Sequence, residues 1–115
     1  VIAMQDCLFC KIAAGEIGGP HVYEDEMVVA FDDISPQAPV HTLIIPKQHC
    51  ANLNDEPDVA LLGHILQVAH EVARIKGIDQ SGYRVVQNNG PDAGQTVFHL
   101  HFHVIGGKEL SLGMA

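Results

Sequence analysis

Cationic residues are scarce in this chain, with 6 lysines and arginines against 14 aspartates and glutamates, a formal charge of −8. That balance repels a phosphodiester backbone and excludes a nucleic-acid groove, so any phosphate would be met by local donors rather than by a basic field. Long apolar runs are missing as well. No stretch approaches the roughly 18 to 20 apolar residues of a membrane span, and the opening Val1-Ile2-Ala3-Met4-Gln5-Asp6 has neither a basic n-region nor an extended apolar h-region. A cytoplasmic protein with no membrane partner is expected. The cysteines number only three, too few and too odd for a disulfide framework. Cys7 and Cys10 have the separation used by zinc knuckles and redox pairs, which suits a reducing compartment. There are no repeats or low-complexity segments, and 115 residues suffice for one core but not for two ordinary domains.

What the chain does have is a segment in which histidine alternates strictly with apolar residues, Phe98-His99-Leu100-His101-Phe102-His103-Val104-Ile105. On a strand, His99, His101 and His103 would share one face while Phe98, Leu100, Phe102 and Val104 share the other. The apolar face is expected to pack and the imidazole face to bind or react, because each buried ring nitrogen needs a partner. Residues two apart on a strand lie roughly 6.6 Å apart and three rings would span about 13 Å, which argues against a single three-histidine metal centre. An affinity tag would be a contiguous run at a terminus, without interleaved apolar residues.

The remaining pattern reads as α+β. Phe9, Ile12, Ala13 and Ile17 suggest a short amphipathic covering helix or turn ended by Gly18-Gly19-Pro20. His21–Glu26 and Met27–Phe31 read as two strands joined by an acidic hairpin, and His41–Pro46 as a third strand after the proline-studded loop Asp32–Pro39. Between Asp58 and Lys76 the apolar positions follow a 3.6-residue period, with acidic residues at the start and Arg74, Lys76 and Gly77 at the end. Tyr83–Asn88 is a fourth strand, and the loop Asn89–Gly94 turns it into the histidine strand. An antiparallel five-stranded meander sheet with one long and one short helix is the expected architecture.

His101, the middle histidine, is the best candidate nucleophile: near pH 7 an imidazole is largely neutral and keeps a lone pair for attack, provided its other nitrogen is held by a hydrogen bond. Gly94-Gln95-Thr96 offers backbone N–H groups, an amide and a hydroxyl, the neutral donors that cradle phosphate without a basic patch. Asp33, on a loop, is a candidate acceptor for sugar hydroxyls. His64 and His70 lie on different faces of the main helix and are expected at the surface without a function.

His99-Leu100-His101-Phe102-His103-Val104-Ile105 resembles the histidine-φ pattern of the histidine triad (HIT) family, where φ is apolar. Asp33–Pro39, His41–His49 and Gly94–Val97 are similar to the Hint branch of that family in order and spacing, so the resemblance spans about Cys7 to Gly107, with Lys108–Ala115 as a C-terminal tail. It implies a single HIT domain over 1–115. It further implies a homodimeric nucleotidyl hydrolase or transferase that cleaves the P–N bond of purine nucleoside 5′-phosphoramidates. Under that resemblance His101 attacks the α-phosphorus and becomes nucleotidylated, and the carbonyl near His99 fixes its tautomer. His103 contacts a phosphate oxygen and the leaving group, and His41 completes the proton-supplying network. Asn88, Gly94, Gln95 and Thr96 would hold phosphate and ribose, Asp33 the ribose hydroxyls, and Ile34 would line the base pocket.

Two features depart from the animal members of the branch. The tail Lys108–Ala115 stands where those enzymes carry a tryptophan-proline segment. Cys7 and Cys10 are absent from them but present in related bacterial proteins and in galactose-1-phosphate uridylyltransferases, which hold structural zinc with two further histidines. The matching zinc ligands here would be Cys7, Cys10, His49 and His99, with no organic cofactor. A dinucleoside polyphosphate hydrolase of the same family, a nucleotide-binding or scaffolding module, and a purely zinc-binding protein are the competing readings.

Overall fold

The computed structural model of the protein describes residues 7–114, so the reading of Val1–Asp6 lies outside the described residues. Helix α1 (Leu8–Ala13) starts at Cys7, whose Sγ accepts the Cys10 N–H at 3.4 Å, and buries Phe9 and Cys10. Strands β1 (Tyr23–Glu24), β2 (Val28–Asp32) and β3 (Val40–Pro46) follow. Helix α2 (Val59–Ile75) is capped by Asp58, which accepts the Ala60 N–H, and ends at Lys76 before Gly77, whose φ of 74° suits only glycine without strain. Strands β4 (Tyr83–Gln87) and β5 (Phe102–Gly106) complete the sheet, and short 3₁₀ turns occupy Leu53–Asp55 and Pro91–Ala93.

All pairings are antiparallel, as expected. The strand order, β1-β2-β3-β5-β4, departs from the expected meander. α2 carries the chain across to the far edge, β4 forms there, and β5 returns to fill the gap beside β3. The central strand β3 is therefore flanked on both sides and covered on both faces, which explains its unbroken apolar run Leu43-Ile44-Ile45. Alternation divides its side chains between two cores. Val28, Ala30, Ile44, Phe102 and Val104 pack under Ile65, Val68 and Val72 of α2. Val29, Leu43 and Ile45 pack under Phe9 of α1.

The histidine segment is shorter as a strand than its alternation suggests. β5 begins at Phe102, not His99. The ladder to β3 stops at Ile44↔Phe102; upstream of it the Leu100 N–H goes to the Cys50 carbonyl at 2.7 Å instead of to a neighbouring strand. The two faces nonetheless persist: Leu100, Phe102 and Val104 face α2, while His101 faces Phe9. Phe98 leaves the expected packing face and is 46% exposed. His70 is exposed as expected, but His64 is half-buried and bonds Asp25 at 2.6 Å, tying α2 to the β1–β2 turn. Burial opposes ionisation of Asp25, but the N–H groups of Met27 and Val28 with Tyr23 and His64 outweigh it and bring its carboxyl down to about 2.

Candidate active site and metal corner

The three histidines and their partners lie on the α1 side of the sheet. The His101 Nδ1 is 2.7 Å from the carbonyl oxygen of His99. A carbonyl only accepts, so Nδ1 carries the hydrogen and Nε2 keeps its lone pair. This is the tautomer a nitrogen nucleophile needs.

The opposite tautomer is imposed on its neighbour. The Gln37 N–H donates to His41 Nδ1 at 3.0 Å, which leaves the hydrogen of neutral His41 on Nε2. That Nε2–H lies 2.8 Å from His103 Nδ1, which must accept, so His103 carries its own hydrogen on Nε2. The rings of His101 and His103 are adjacent, with centroids 5.1 Å apart. One ring thus supplies a lone pair and the next an N–H. Burial, then the neighbouring His101 and His41, push His103 down to about 4 against the opposing pull of Asp33, so the ring is neutral near pH 7.

Asp33 stands at the mouth of this pair. Its Oδ1 accepts the Ser35 N–H at 2.8 Å, shaping the loop, and its Oδ2 is 3.5 Å from His41 Nε2. Asp33, His41 and His103 bring one ligand atom each within metal-binding reach. Both nitrogens of neutral His41 are already engaged, however, one as acceptor and one as donor, so the trio is suited to proton placement rather than to metal. Ile34 next door is 99% exposed.

Of the residues expected to cradle phosphate, Asn88 is half-buried just past β4, Thr96 is exposed, and Gly94 closes the Pro91–Ala93 turn with φ 84°. Gln95 behaves differently. It is 4% exposed, and its amide is saturated: Oε1 accepts from Asn52 Nδ2 at 2.9 Å and Gly90 N at 2.8 Å, while Nε2 donates to the carbonyls of Ala51 at 2.7 Å and Val97 at 3.2 Å. The side chain ties three segments together and has no donor left for phosphate.

A second cluster adjoins the first. Cys7, Cys10, His49 and His99 form a group able to hold a metal ion. The His49 and His99 Nδ1 atoms are 3.2 Å apart, Cys10 Sγ is 3.3 Å from His49 Nδ1 and 3.5 Å from His99 Nδ1, and Cys7 Sγ is 3.3 Å from His99 Nδ1. Tetrahedral zinc with two sulfur and two nitrogen ligands has edges of about 3.3 to 3.8 Å, so the donor set fits. His99 donates its Nε2–H to the Pro46 carbonyl at 2.8 Å, which leaves the Nδ1 lone pair aimed into the cluster. Burial is the main reason His99 is lowered to about 4 and stays neutral.

Sequence reasoning missed Gln37, the Pro46 carbonyl, Asn52 and Phe9. The first two act through backbone atoms, which residue type does not reveal. Asn52 is one polar residue among several in its loop, and Phe9 reads as an ordinary core position of α1.

Comparison with known proteins places this arrangement in a family. A family model described as HIT domain matches residues 14–110. An uncharacterized HIT-like protein of Synechocystis sp. is 50% identical over 109 residues, 93% of this chain and 95% of the relative. A HIT family hydrolase from Legionella pneumophila superposes with a TM-score of 0.89 at 48% identity, covering 93% of this chain and 97% of the other. A histidine triad nucleotide-binding protein from Candida albicans gives 0.86 at 40% identity, covering 96% and 83%. The chain belongs to the HIT domain family.

Proposed function

We propose that this protein is a nucleotidyl hydrolase or transferase that cleaves the P–N bond of purine nucleoside 5′-phosphoramidates through a nucleotidyl-His101 intermediate. The observation that carries it is the pair of opposed tautomers, His101 fixed by the His99 carbonyl and His103 by the Gln37–His41 chain. The His101 Nε2 lone pair attacks the α-phosphorus, an N–P bond forms, and the bond to the leaving amine breaks as the amine takes the His103 Nε2 proton and a solvent proton replaces it, so that His103 stays neutral. Water then attacks the same phosphorus, gives one proton back to solvent, and releases the nucleoside monophosphate and neutral His101. The similarity to a HIT family hydrolase of Legionella pneumophila and to a histidine triad nucleotide-binding protein of Candida albicans supports this class of chemistry.

Asp33, Ile34, Asn88, Gly94 and Thr96 are assigned to ribose, base and phosphate, with Gln95 shaping the loop that presents them. Cys7, Cys10, His49 and His99 are assigned to structural zinc, which would cross-link α1 to the loop after β3 and to the catalytic segment. The working unit is assigned as a homodimer, because β4 is an edge strand with Val85 exposed. A monomer at micromolar concentration in light scattering would overturn that assignment. The setting is assigned to the cytoplasm, which suits thiolate ligands.

The deciding experiment follows turnover of adenosine and guanosine 5′-phosphoramidates and of diadenosine polyphosphates, with acid quench of labelled substrate. Faster phosphoramidate turnover with label on His101 is expected. Preference for the polyphosphates would move the protein to the dinucleoside polyphosphate hydrolases, and binding without turnover would make it a nucleotide-binding module.

A further inference from the structure

The hydrogen bond from His101 Nδ1 to the His99 carbonyl fixes the tautomer and one atom of the ring. A hydrogen bond tolerates a range of angles, so the ring can still tilt about its Cβ–Cγ bond while the contact persists, and Nε2 moves with it. Two rings limit that tilt. His103 lies at a centroid distance of 5.1 Å, and Phe9 also at 5.1 Å, perpendicular to His101 at 90°. Phe9 is 6% exposed and is itself braced by Phe31, 5.6 Å away at 72°, and by His99, 6.0 Å away at 69°. In sequence it lies between Cys7 and Cys10, so the corner that gathers the two thiols is also what carries its ring to His101.

We propose that Phe9 is a positioning residue for the nucleophile: its flat ring, anchored by the Cys7–Cys10 turn, holds the His101 imidazole so that Nε2 stays aimed at the substrate phosphorus. This rests on the reading of His101 as the nucleophile. Edge-to-face contact suits two rings at this separation and angle, and a rigid ring braced by Phe31 and His99 yields less than a flexible aliphatic chain of similar apolarity. Misplacement of a reacting atom by an ångström can cost about a hundredfold in rate, so a small loss of restraint is measurable. The effect belongs to the transition state, because the contact orders the nucleophile rather than the substrate.

The test compares the full-length, zinc-supplemented protein with Phe9→Leu, Phe9→Met and Phe9→Tyr. With adenosine phosphoramidate, Phe9→Leu and Phe9→Met are expected to lower kcat by about 5- to 30-fold with KM within about twofold, while Phe9→Tyr, which keeps the ring, stays within about threefold of the parent. Exchange of the His101 Nδ1 proton with solvent, followed by NMR without substrate, is expected to accelerate by roughly tenfold or more in Phe9→Leu and Phe9→Met but not in Phe9→Tyr. Either aliphatic variant suffices if the other does not fold. A raised KM at unchanged kcat would make Phe9 a wall of the substrate pocket and overturn the proposal, as would unchanged proton exchange or a loss of bound metal that accounts for the whole effect. An inactive parent protein would instead sink the phosphoramidase reading, and proton exchange would still decide whether Phe9 orders His101.

Discussion

The rings of His41 and His103 are joined by one hydrogen bond, Nε2 to Nδ1 at 2.8 Å, and its direction is set by a backbone group, the Gln37 N–H on the opposite nitrogen of His41. A main-chain amide four residues before His41 therefore decides which nitrogen of His103 presents a proton. The same logic holds for His101, where the deciding group is the His99 carbonyl. Two chemically identical side chains acquire opposite roles through two backbone atoms.

If that chain supplies the leaving-group proton, His41→Ala strips His103 of its donor and lets both tautomers form. kcat for phosphoramidate is expected to fall by about 10- to 100-fold with little change in nucleotide affinity. His41→Gln, whose amide N–H can replace the donor, is expected to recover part of the loss. Equal activity in the alanine variant would remove His41 from the mechanism.

His101→Ala is expected to abolish turnover while nucleotide binding persists, since the nucleophile contributes to the transition state more than to ground-state affinity. Isothermal titration with a nucleoside monophosphate beside a turnover assay checks this. Parallel loss of both would argue for a binding role instead.

The neutral His103 also makes stability depend on pH. An unfolded histidine titrates near 6.5, while the folded ring is lowered to about 4, chiefly by burial. Between these values the unfolded chain binds a proton that the folded state refuses. Stability is then complete above about pH 6.5, declines as pH falls, and levels off below about 4, a total of about 1 to 2 kcal/mol once solvent screening of the half-buried ring is allowed for. Thermal midpoints of the parent and His103→Asn over this range should converge on acidification, because the variant lacks the titrating ring. Parallel curves would show that His103 is not the group responsible.

How far these features were legible in the sequence depends on which atoms carry them. The alternation of His99, His101 and His103 with Leu100, Phe102 and Val104 set the two faces, and the 3.6-residue period set α2 to within a residue of Val59–Ile75. Pro46 reads as a strand end, and it is one. What alternation cannot register is where a ladder stops: Leu100 gives its N–H to Cys50, so the strand begins three residues late. Nor does it register strand order, because β4 and β5 are adjacent whether or not β5 sits beside β3. Gln95 was legible as polar and close to the histidines, but its burial depends on Ala51 and Asn52, more than forty residues away.

The saturation of Gln95 leads to a stability prediction. Gln95→Ala leaves the Asn52 amide, the Gly90 N–H and two carbonyls without their partner in a nearly closed space, at a cost of about 2 to 4 kcal/mol. Gln95→Glu sets a carboxylate oxygen against the Ala51 and Val97 carbonyls and is expected to cost at least as much. Chemical denaturation measures both. Wild-type midpoints in the two variants, with weakened phosphate binding, would return Gln95 to the phosphate site.

The metal corner yields the last prediction, because His99 serves two clusters with different atoms. Its Nδ1 faces Cys7, Cys10 and His49, and its carbonyl holds the His101 Nδ1 hydrogen. Zinc bound there would fix the ring, and through the ring the backbone that orients the nucleophile, without touching substrate. Metal-replete protein is expected to carry about one zinc per chain by elemental analysis. The double variant Cys7→Ser, Cys10→Ser should lose the metal, melt at lower temperature, and turn over more slowly while KM changes little, since α1 and Phe9 are no longer pinned beside His101. Metal-free protein with unchanged melting temperature and activity would reduce Cys7 and Cys10 to small packing residues. Zinc lost with activity intact would separate the two functions of His99, leaving the Pro46 carbonyl as sufficient restraint on its ring.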